Sequence, residues 1–230
     1  VRMAVIPARG GSKRIPRKNI KVFCGKPMIV WSIEAARQSG CFDQVIVSTD
    51  DEEIAQVAKD HGADVPFRRP PELSDDYTGT IPVIDHAIRW QQQNGAAAQL
   101  VCCIYATAPF IAASDLQRGL EIIESTQSEY AFSVTSYAFP IQRAIRIKQT
   151  GRVEMFYPQH FEARSQDLED AYHDAGQFYW GQTSAWLAGK AIFSVDSAPV
   201  MLPRNRVQDI DTLEDWMRAE WMFQTMQAQA

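Results

Sequence analysis

The sequence predicts a three-layer α/β/α fold on a mostly parallel sheet. Three observations carry this. Short apolar runs alternate with amphipathic stretches of ten to fifteen residues, which is the pattern of βαβ units. The run "QLVCCIYA" (residues 99–106) is almost wholly apolar, as a central parallel strand covered on both faces must be. The alternation then breaks near Phe139, which marks an excursion from an otherwise regular sheet.

The elements follow in order. "MAVIP" (residues 3–7) reads as a buried strand, and "KPMIVWSIEAARQSG" (26–40) as a helix with Ile29, Ile33 and Ala36 on one face and Gly40 at its stop. "QVIVST" (44–49) is a second strand. "DDEEIAQVAKDHG" (50–62) is a helix opened by acids and closed by Gly62. "DVPFRR" (64–69) is a weaker third strand, and "TIPVIDHAIRWQQQNG" (80–95) a third helix. After the strand at 99–106 comes the helix "SDLQRGLEIIES" (114–125), with Ser114 as its expected cap, and then the strand "YAFSVTSYA" (130–138). "RAIRIKQTGRVEMFY" (143–157) reads as a hairpin about Gly151, and "PQHFEARSQDLEDAYHDAG" (158–176) as polar and irregular. Residues 139–175 are thus an inserted arm within a single domain spanning 1–230. An exposed hairpin needs something to pack on, so the arm is read as a candidate lobe or dimerisation element. The chain closes on "TLEDWMRAEWMFQTMQ" (212–227), a helix opened by Thr212 and Asp215 with Leu213, Trp216, Met217 and Trp221 as its apolar face.

The totals exclude several classes. The 230 residues are 46% hydrophobic with net charge −5. That supports one substantial core and argues against a general nucleic-acid binder. No apolar run is long enough to span a bilayer and no signal peptide precedes the first strand, so no membrane partner is expected. The four cysteines (Cys24, Cys41, Cys102, Cys103) form no CxxC or zinc spacing, which fits a reducing, cytoplasmic setting.

Against that acidic background, "PARGGSKRIPRKN" (7–19) is locally basic. In an open parallel sheet, ligands bind beyond the carboxyl ends of the strands, and this loop leaves the first one. Gly10 and Gly11 allow a sharp turn that offers backbone N–H groups to an anion, and Arg9, Lys13 and Lys18 can neutralise a polyphosphate. The loop matches neither GxxxxGK[ST] nor GxGxxG. In "QDIDT", Asp209 and Asp211 alternate along an extended segment. They can face one hard cation such as Mg²⁺, or merely charge the start of the last helix. Arg68 and Arg69, before two prolines, offer guanidinium groups to a nucleobase or a carboxylate, or belong to a surface loop. "YHDAGQFYWG" (172–181) crowds Tyr172, His173, Asp174, Gln177, Tyr179 and Trp180 around a glycine, as sugar sites often do. His61 and His86 read as structural.

In this order, over essentially the whole chain, these motifs resemble the CMP-nonulosonate synthetases, cytidylyltransferases that activate sialic-acid-like sugars. "PARGGSKRIPRKN" is similar to the family's opening loop, "VIVSTDDEEIA" to its second strand–helix unit, "RRPPELSDD" to its base-binding loop and "QDIDTLED" to its metal-binding segment. The resemblance implies a Rossmann-like nucleotidyltransferase fold, a homodimer, CTP as substrate and Mg²⁺ as cofactor. Arg9, Ser12 and Lys13 would hold the triphosphate, with the backbone of Gly10 and Gly11. Lys18 would hold the phosphate nearer the reaction, Asn19 and Arg69 would read cytosine, and Asp209 and Asp211 would hold magnesium. Lys18, Arg9 and Asp211 are the expected catalytic groups. Tyr105, Arg164, Asp174, Gln177 and Tyr179 are expected around the sugar.

Where sialate enzymes carry a stretch like "QPTSPLR", this chain reads "YATAPFI", with Tyr105 for glutamine and Ile111 for arginine. Where they carry asparagine–glycine, it has Ala175-Gly176. "IYATAPFI" with "YHDAGQFYWG" resembles the branch acting on pseudaminic acid. The alternatives are CMP-N-acetylneuraminate or CMP-legionaminate synthesis, a related transferase for another sugar acid, or a non-catalytic CTP-binding regulatory module.

Overall fold

The structure is a computed structural model that describes residues 1–95 and 97–228. Its sheet has six strands: β1 (Arg2–Pro7), β4 (Gln44–Ser48), β5 (Leu100–Ile104), β6 (Tyr130–Ser136), β9 (Tyr172–Gln182) and β10 (Ser197–Met201), in the order β10-β6-β9-β5-β1-β4. β1 pairs in parallel with β4 and β5, and β10 in parallel with β6; β9 runs antiparallel between β5 and β6. Two short ribbons lie outside it, β2 (Val22–Phe23) with β3 (Lys26–Pro27), and β7 (Ile145–Ile147) with β8 (Val153–Met155). Among the described residues the α-helices are α1 (Met28–Ser39), α2 (Glu52–Asp60), α3 (Thr80–Asn94), α4 (Ala113–Thr126), α5 (Thr183–Leu187) and α6 (Leu213–Ala228).

The three layers arise from the two faces of the central strands. Ala4, Ile6, Cys102 and Ile104 point to one face with the buried residues of α1, α2 and α4, while Met3, Val5, Val101 and Cys103 point to the other with α3 and α5. The period-2 alternation of a strand separates these residues, so a strand buried on both faces must be apolar throughout. A third cluster joins α6 to the β2–β3 ribbon: Phe23 meets Trp216 and Phe223 edge-on at 5.4 and 5.5 Å.

Local signals account for most ends. Gly40 closes α1 in the left-handed region, at φ 65°. Asp51 caps α2 by accepting the Ile54 N–H at 3.0 Å. Thr212 and Asp215 form a reciprocal capping box: Thr212 N–H donates to Asp215 Oδ2 at 2.8 Å and Asp215 N–H to Thr212 Oγ1 at 3.2 Å.

Four expectations are corrected. "DVPFRR" forms no strand beyond a single bridge from Asp64 to Ile46, because Pro66 denies it a ladder donor two residues on. Ser114 lies inside α4, whose cap is Ala112, and the next residue, Asp115, is buried against Arg206. The arm ends earlier than 175, because residues 172–176 already belong to β9. On α6 the buried residues are Trp216, Ala219 and Phe223, whereas Leu213, Met217 and Trp221 are 58%, 49% and 63% exposed. Both sets recur at helical spacing, and the helix buries the one that meets Phe23.

Residues 137–171 leave the sheet between β6 and β9. They carry the β7–β8 ribbon, whose turn is closed by Gly151 at φ 76°.

The α6 assignment gives a direct contrast. Trp216→Ala removes a buried aromatic and is expected to lower unfolding free energy by about 3–5 kcal/mol. Trp221→Ala is expected to stay within about 0.5 kcal/mol. Urea denaturation of both variants checks the difference, and equal losses would contradict the packing.

Candidate active site

A cleft of about 540 Å³ opens beyond the carboxyl ends of β1 and β5. The loop after β1 supplies Arg9, Ser12, Lys13, Arg14, Lys18 and Asn19; the segment before α3 supplies Arg69, Asp76, Thr78, Gly79 and Thr80; Tyr105 and Asp211 complete the wall.

Acidic residues after β4 hold the basic loop in place. Gly10 donates its N–H to Asp50 Oδ1 at 2.9 Å. A Cβ on Gly10 would stand 2.7 Å from Asp51 Oδ2, so only glycine allows this approach. Arg17 occupies the left-handed region at φ 58°, which is strained for a long side chain. Its guanidinium is clamped by Asp51 at 2.5 and 2.9 Å and by Glu53 at 2.5 Å. This fork holds the Asp51 carboxyl down to about 2, with Arg17's hydrogen bond the largest cause, and drives Arg17 upward. The Gly10 N–H, expected to face an anion, is therefore committed to Asp50, and Arg17 is spent on loop geometry.

Lys18 projects inward. Its Nζ donates to the Ile210 carbonyl at 2.6 Å and lies 3.5 Å from Asp211 Oδ1, which also meets Arg14 at 2.9 Å. Ile210 is fully buried, so its neighbours Asp209 and Asp211 are turned outward from the core on one extended segment. Upstream, Arg206 is anchored by Asp115 at 2.6 and 3.1 Å, and Gln177 donates Nε2 to the Arg206 carbonyl at 2.7 Å. Asp209 titrates above the usual carboxylate range because of partial desolvation and the adjacent Asp211 charge, against the pull of Lys18. Among the described residues no cluster of three or more His, Cys, Asp or Glu is placed to hold a metal. Two hard carboxylate donors, with the Asp211 charge felt at Asp209, still fit a cation such as Mg²⁺, which takes one or two carboxylates and completes its shell with phosphate and water oxygens.

Arg69 is buried. Its Nε donates to Ser48 Oγ at 3.1 Å, one Nη to the Ser48 carbonyl and the other to the Leu73 carbonyl at 3.4 Å. Burial lowers its pKa to about 10. Each Nη carries two hydrogens, so Arg69 can brace the loop and still face the cleft it lines. Asn19, also buried, donates Nδ2 to the Arg9 carbonyl at 3.0 Å.

Tyr105 lines the cleft, with its hydroxyl 3.3 Å from Thr80 Oγ1 and its ring 5.2 Å from Tyr179. Tyr179 donates to Asp174 Oδ2 at 2.5 Å, so these two stand behind Tyr105. Burial raises the pKa of both tyrosines.

Other expected sugar residues lie elsewhere. Gln177 is buried on Arg206. Arg164 sits on the arm, exposed and paired with Asp167 at 2.6 Å, and does not line the cleft of this chain. Ile111 and Ala175 are buried, with Ile111 among the α1 and α4 side chains. Trp180 is fully buried and donates to the Leu116 carbonyl at 3.0 Å. The cleft is also lined by Asp76, within "RRPPELSDD", by Arg14, within the basic loop, and by Thr78, Thr80 and Thr107, small polar residues whose types alone carry no site signal.

A mostly parallel sheet with a basic loop off its first strand, and Asp211 across the cleft from that loop's arginines and lysines, suits an anionic ligand such as a nucleotide. Residues 3–183 match the family model described as cytidylyltransferase, and the chain belongs to that family. It is 48% identical to a pseudaminic acid cytidylyltransferase of Campylobacter jejuni over 96% of this chain and 95% of that protein. It is 33% identical to a CMP-N,N'-diacetyllegionaminic acid synthase of Legionella pneumophila over 98% and 97%. A solved CMP:2-keto-3-deoxy-manno-octonic acid synthetase complexed with CTP shares the fold, with TM-score 0.72 at 16% identity over 98% of this chain and 99% of that one.

The Asp51 clamp predicts an acid limb. Its folded pKa lies below the unfolded value of about 3.9, so its contribution is complete above pH about 4 and lost as pH falls toward about 2. With the carboxylate partly exposed, that contribution is about 1–2 kcal/mol. Asp51→Asn should flatten stability against pH between about 4 and 2; an unchanged slope in acid denaturation would contradict the clamp.

Proposed function

We propose that the protein transfers the cytidylyl group of CTP to pseudaminic acid, giving CMP-pseudaminic acid and pyrophosphate. The observation that carries this reading is the cleft that Arg9, Lys13, Lys18, Tyr105 and Asp211 line together. The substrates follow the names of the relatives, and the C. jejuni protein is the basis for the sugar.

The anomeric C2 hydroxyl of the sugar attacks the α-phosphorus in line and the β-phosphate oxygen leaves. Little covalent chemistry falls to the protein, so its work is positioning and charge neutralisation. Arg9 and Lys13 receive the β- and γ-phosphates. Lys18, held against the Ile210 carbonyl, offsets charge at the α-phosphate. Asn19 and the remaining Nη hydrogens of Arg69 face cytosine. Asp209 and Asp211 would hold Mg²⁺, which supplies Lewis-acid neutralisation of the phosphates. Asp211 is also placed to accept the proton of the attacking hydroxyl. Tyr105 borders the sugar, with Tyr179 and Asp174 fixing its ring from behind.

The exposed apolar side chains of the arm fit a second copy of the chain. Phe139 is 82% exposed, Ile147 77%, Val153 65% and Phe161 70%. Exposed apolar side chains gathered along one excursion of the chain are the mark of an interaction surface. In a two-fold dimer the arm, with Arg164, reaches the other copy's cleft.

Three measurements test this. With CTP and magnesium, pseudaminic acid should give the highest kcat/KM among pseudaminic, legionaminic and N-acetylneuraminic acids, with weak leakage to the others. A higher value for N-acetylneuraminic acid would reject the sugar assignment. Asp211→Ala should cut turnover more than about a hundredfold while the protein stays folded, since its ion pairs are half exposed. Turnover within tenfold of the parent would remove Asp211 from the chemistry. Sedimentation at micromolar concentration should show about twice 26.0 kDa, and a lone 26.0 kDa species would reject the dimer.

A further inference from the structure

The two cations of the phosphate loop are already occupied. Asp76 places one carboxylate oxygen 2.6 Å from Arg9 Nη1, and its other oxygen meets Lys13 Nζ. Both cations and Asp76 line the cleft. A carboxylate bridging two cations uses the same charge and hydrogen-bond geometry as a phosphate oxygen pair. Asp76 therefore stands where the leaving phosphates belong.

Its setting suits exchange. Asp75 folds the tip by accepting the N–H groups of Tyr77 and Thr78, at 3.0 and 2.7 Å. Tyr77 is 94% exposed, so its ring does not anchor the tip, which is tied back to the preceding segment by the Thr78 hydroxyl on the Glu72 carbonyl at 3.2 Å. Arg9 and Lys13 hold the Asp76 carboxyl below the usual range, so it stays charged at neutral pH.

We propose that Asp76 is an internal counter-anion: it occupies the phosphate subsite of the empty enzyme, yields it to the triphosphate of CTP, and reclaims it to expel pyrophosphate. Asp76 thereby sets the affinity for every polyphosphate at this cleft. The tip at 74–78 lies between the Arg69 loop and α3, so releasing Asp76 frees the segment that borders the base. The bridge costs affinity for CTP, since each binding event breaks two ion pairs. It favours turnover, because bound pyrophosphate would otherwise keep both cations to itself. An internal competitor with a fixed effective concentration weakens binding of CTP and pyrophosphate by the same factor. The proposal rests on the phosphate-loop reading above.

The test is titration calorimetry of inorganic pyrophosphate and of CTP into the parent, Asp76→Asn and Asp76→Glu, each in magnesium and in EDTA. Asparagine keeps the shape and removes the charge. Asp76→Asn should bind both ligands about fivefold tighter or more, in either buffer, as expected for removing a competitor bound through partly exposed pairs. Asp76→Glu retains the charge and should bind like the parent. Inhibition of turnover by pyrophosphate should sharpen in the asparagine variant by the same factor. If the parent binds both ligands and Asp76→Asn binds them no more tightly, the proposal falls and the cytidylyl-transfer reading stands. Weaker binding confined to magnesium would make Asp76 a metal ligand and also overturn it. If the parent binds neither ligand, the phosphate-loop reading falls and the proposal with it.

Discussion

Everything at this cleft depends on keeping a dense run of positive charge folded when no anion is present. Arg9, Lys13, Arg14, Arg17 and Lys18 fall within ten residues of one loop. Left alone they would repel one another and hold the loop open. The structure meets each with an acid from another segment: Asp51 and Glu53 take Arg17, Asp211 takes Arg14 and Lys18, and Asp76 takes Arg9 and Lys13. The acids come from the turn after β4, the segment before α3 and the segment before α6. Parts of the chain far apart in sequence are thereby drawn to one end of the sheet.

These pairs divide by where they sit. Arg17 and Asp51 form a fork that holds the backbone in a left-handed conformation while Asp51 caps a helix. That pair is architecture. Arg9 and Lys13, sharing Asp76, and Arg14, meeting Asp211, line the cleft with their acids. Lys18 is the least exposed of the five cations and is also fixed by the Ile210 carbonyl. The loop can keep one shape while its partners change.

Much of the fold was legible in the residues. The strands at β1, β4, β5 and β6 are short, apolar and bounded by breakers, and the helices between them carry a clear period. What was not legible came from competition between equivalent patterns. On α6, two stripes share the same spacing, and only the tertiary contact with Phe23 decides which is buried. β9 carried polar residues near its start that read as a loop, because pairing with β5 and β6 on both sides is not a local property. In the site, Arg9, Ser12, Lys13, Lys18, Asn19, Arg69, Tyr105 and Asp211 do line one cleft. Gln177, Ile111 and Ala175 do not face it, because they are packed in the interior. Asp76 lies in "RRPPELSDD", a stretch singled out for its arginines and not its acids, and its partner lysine is 63 positions away.

The central claim is that the basic loop and the segment before α3 together hold one nucleotide. A crystal structure with CTP and magnesium tests this most directly. The account predicts the triphosphate on Arg9, Lys13 and Lys18, with cytosine between Asn19, Arg69 and Thr78. Density for CTP in the neighbouring depression formed by Thr49, Glu52, Lys59 and Arg68, with the basic loop still empty, would contradict it.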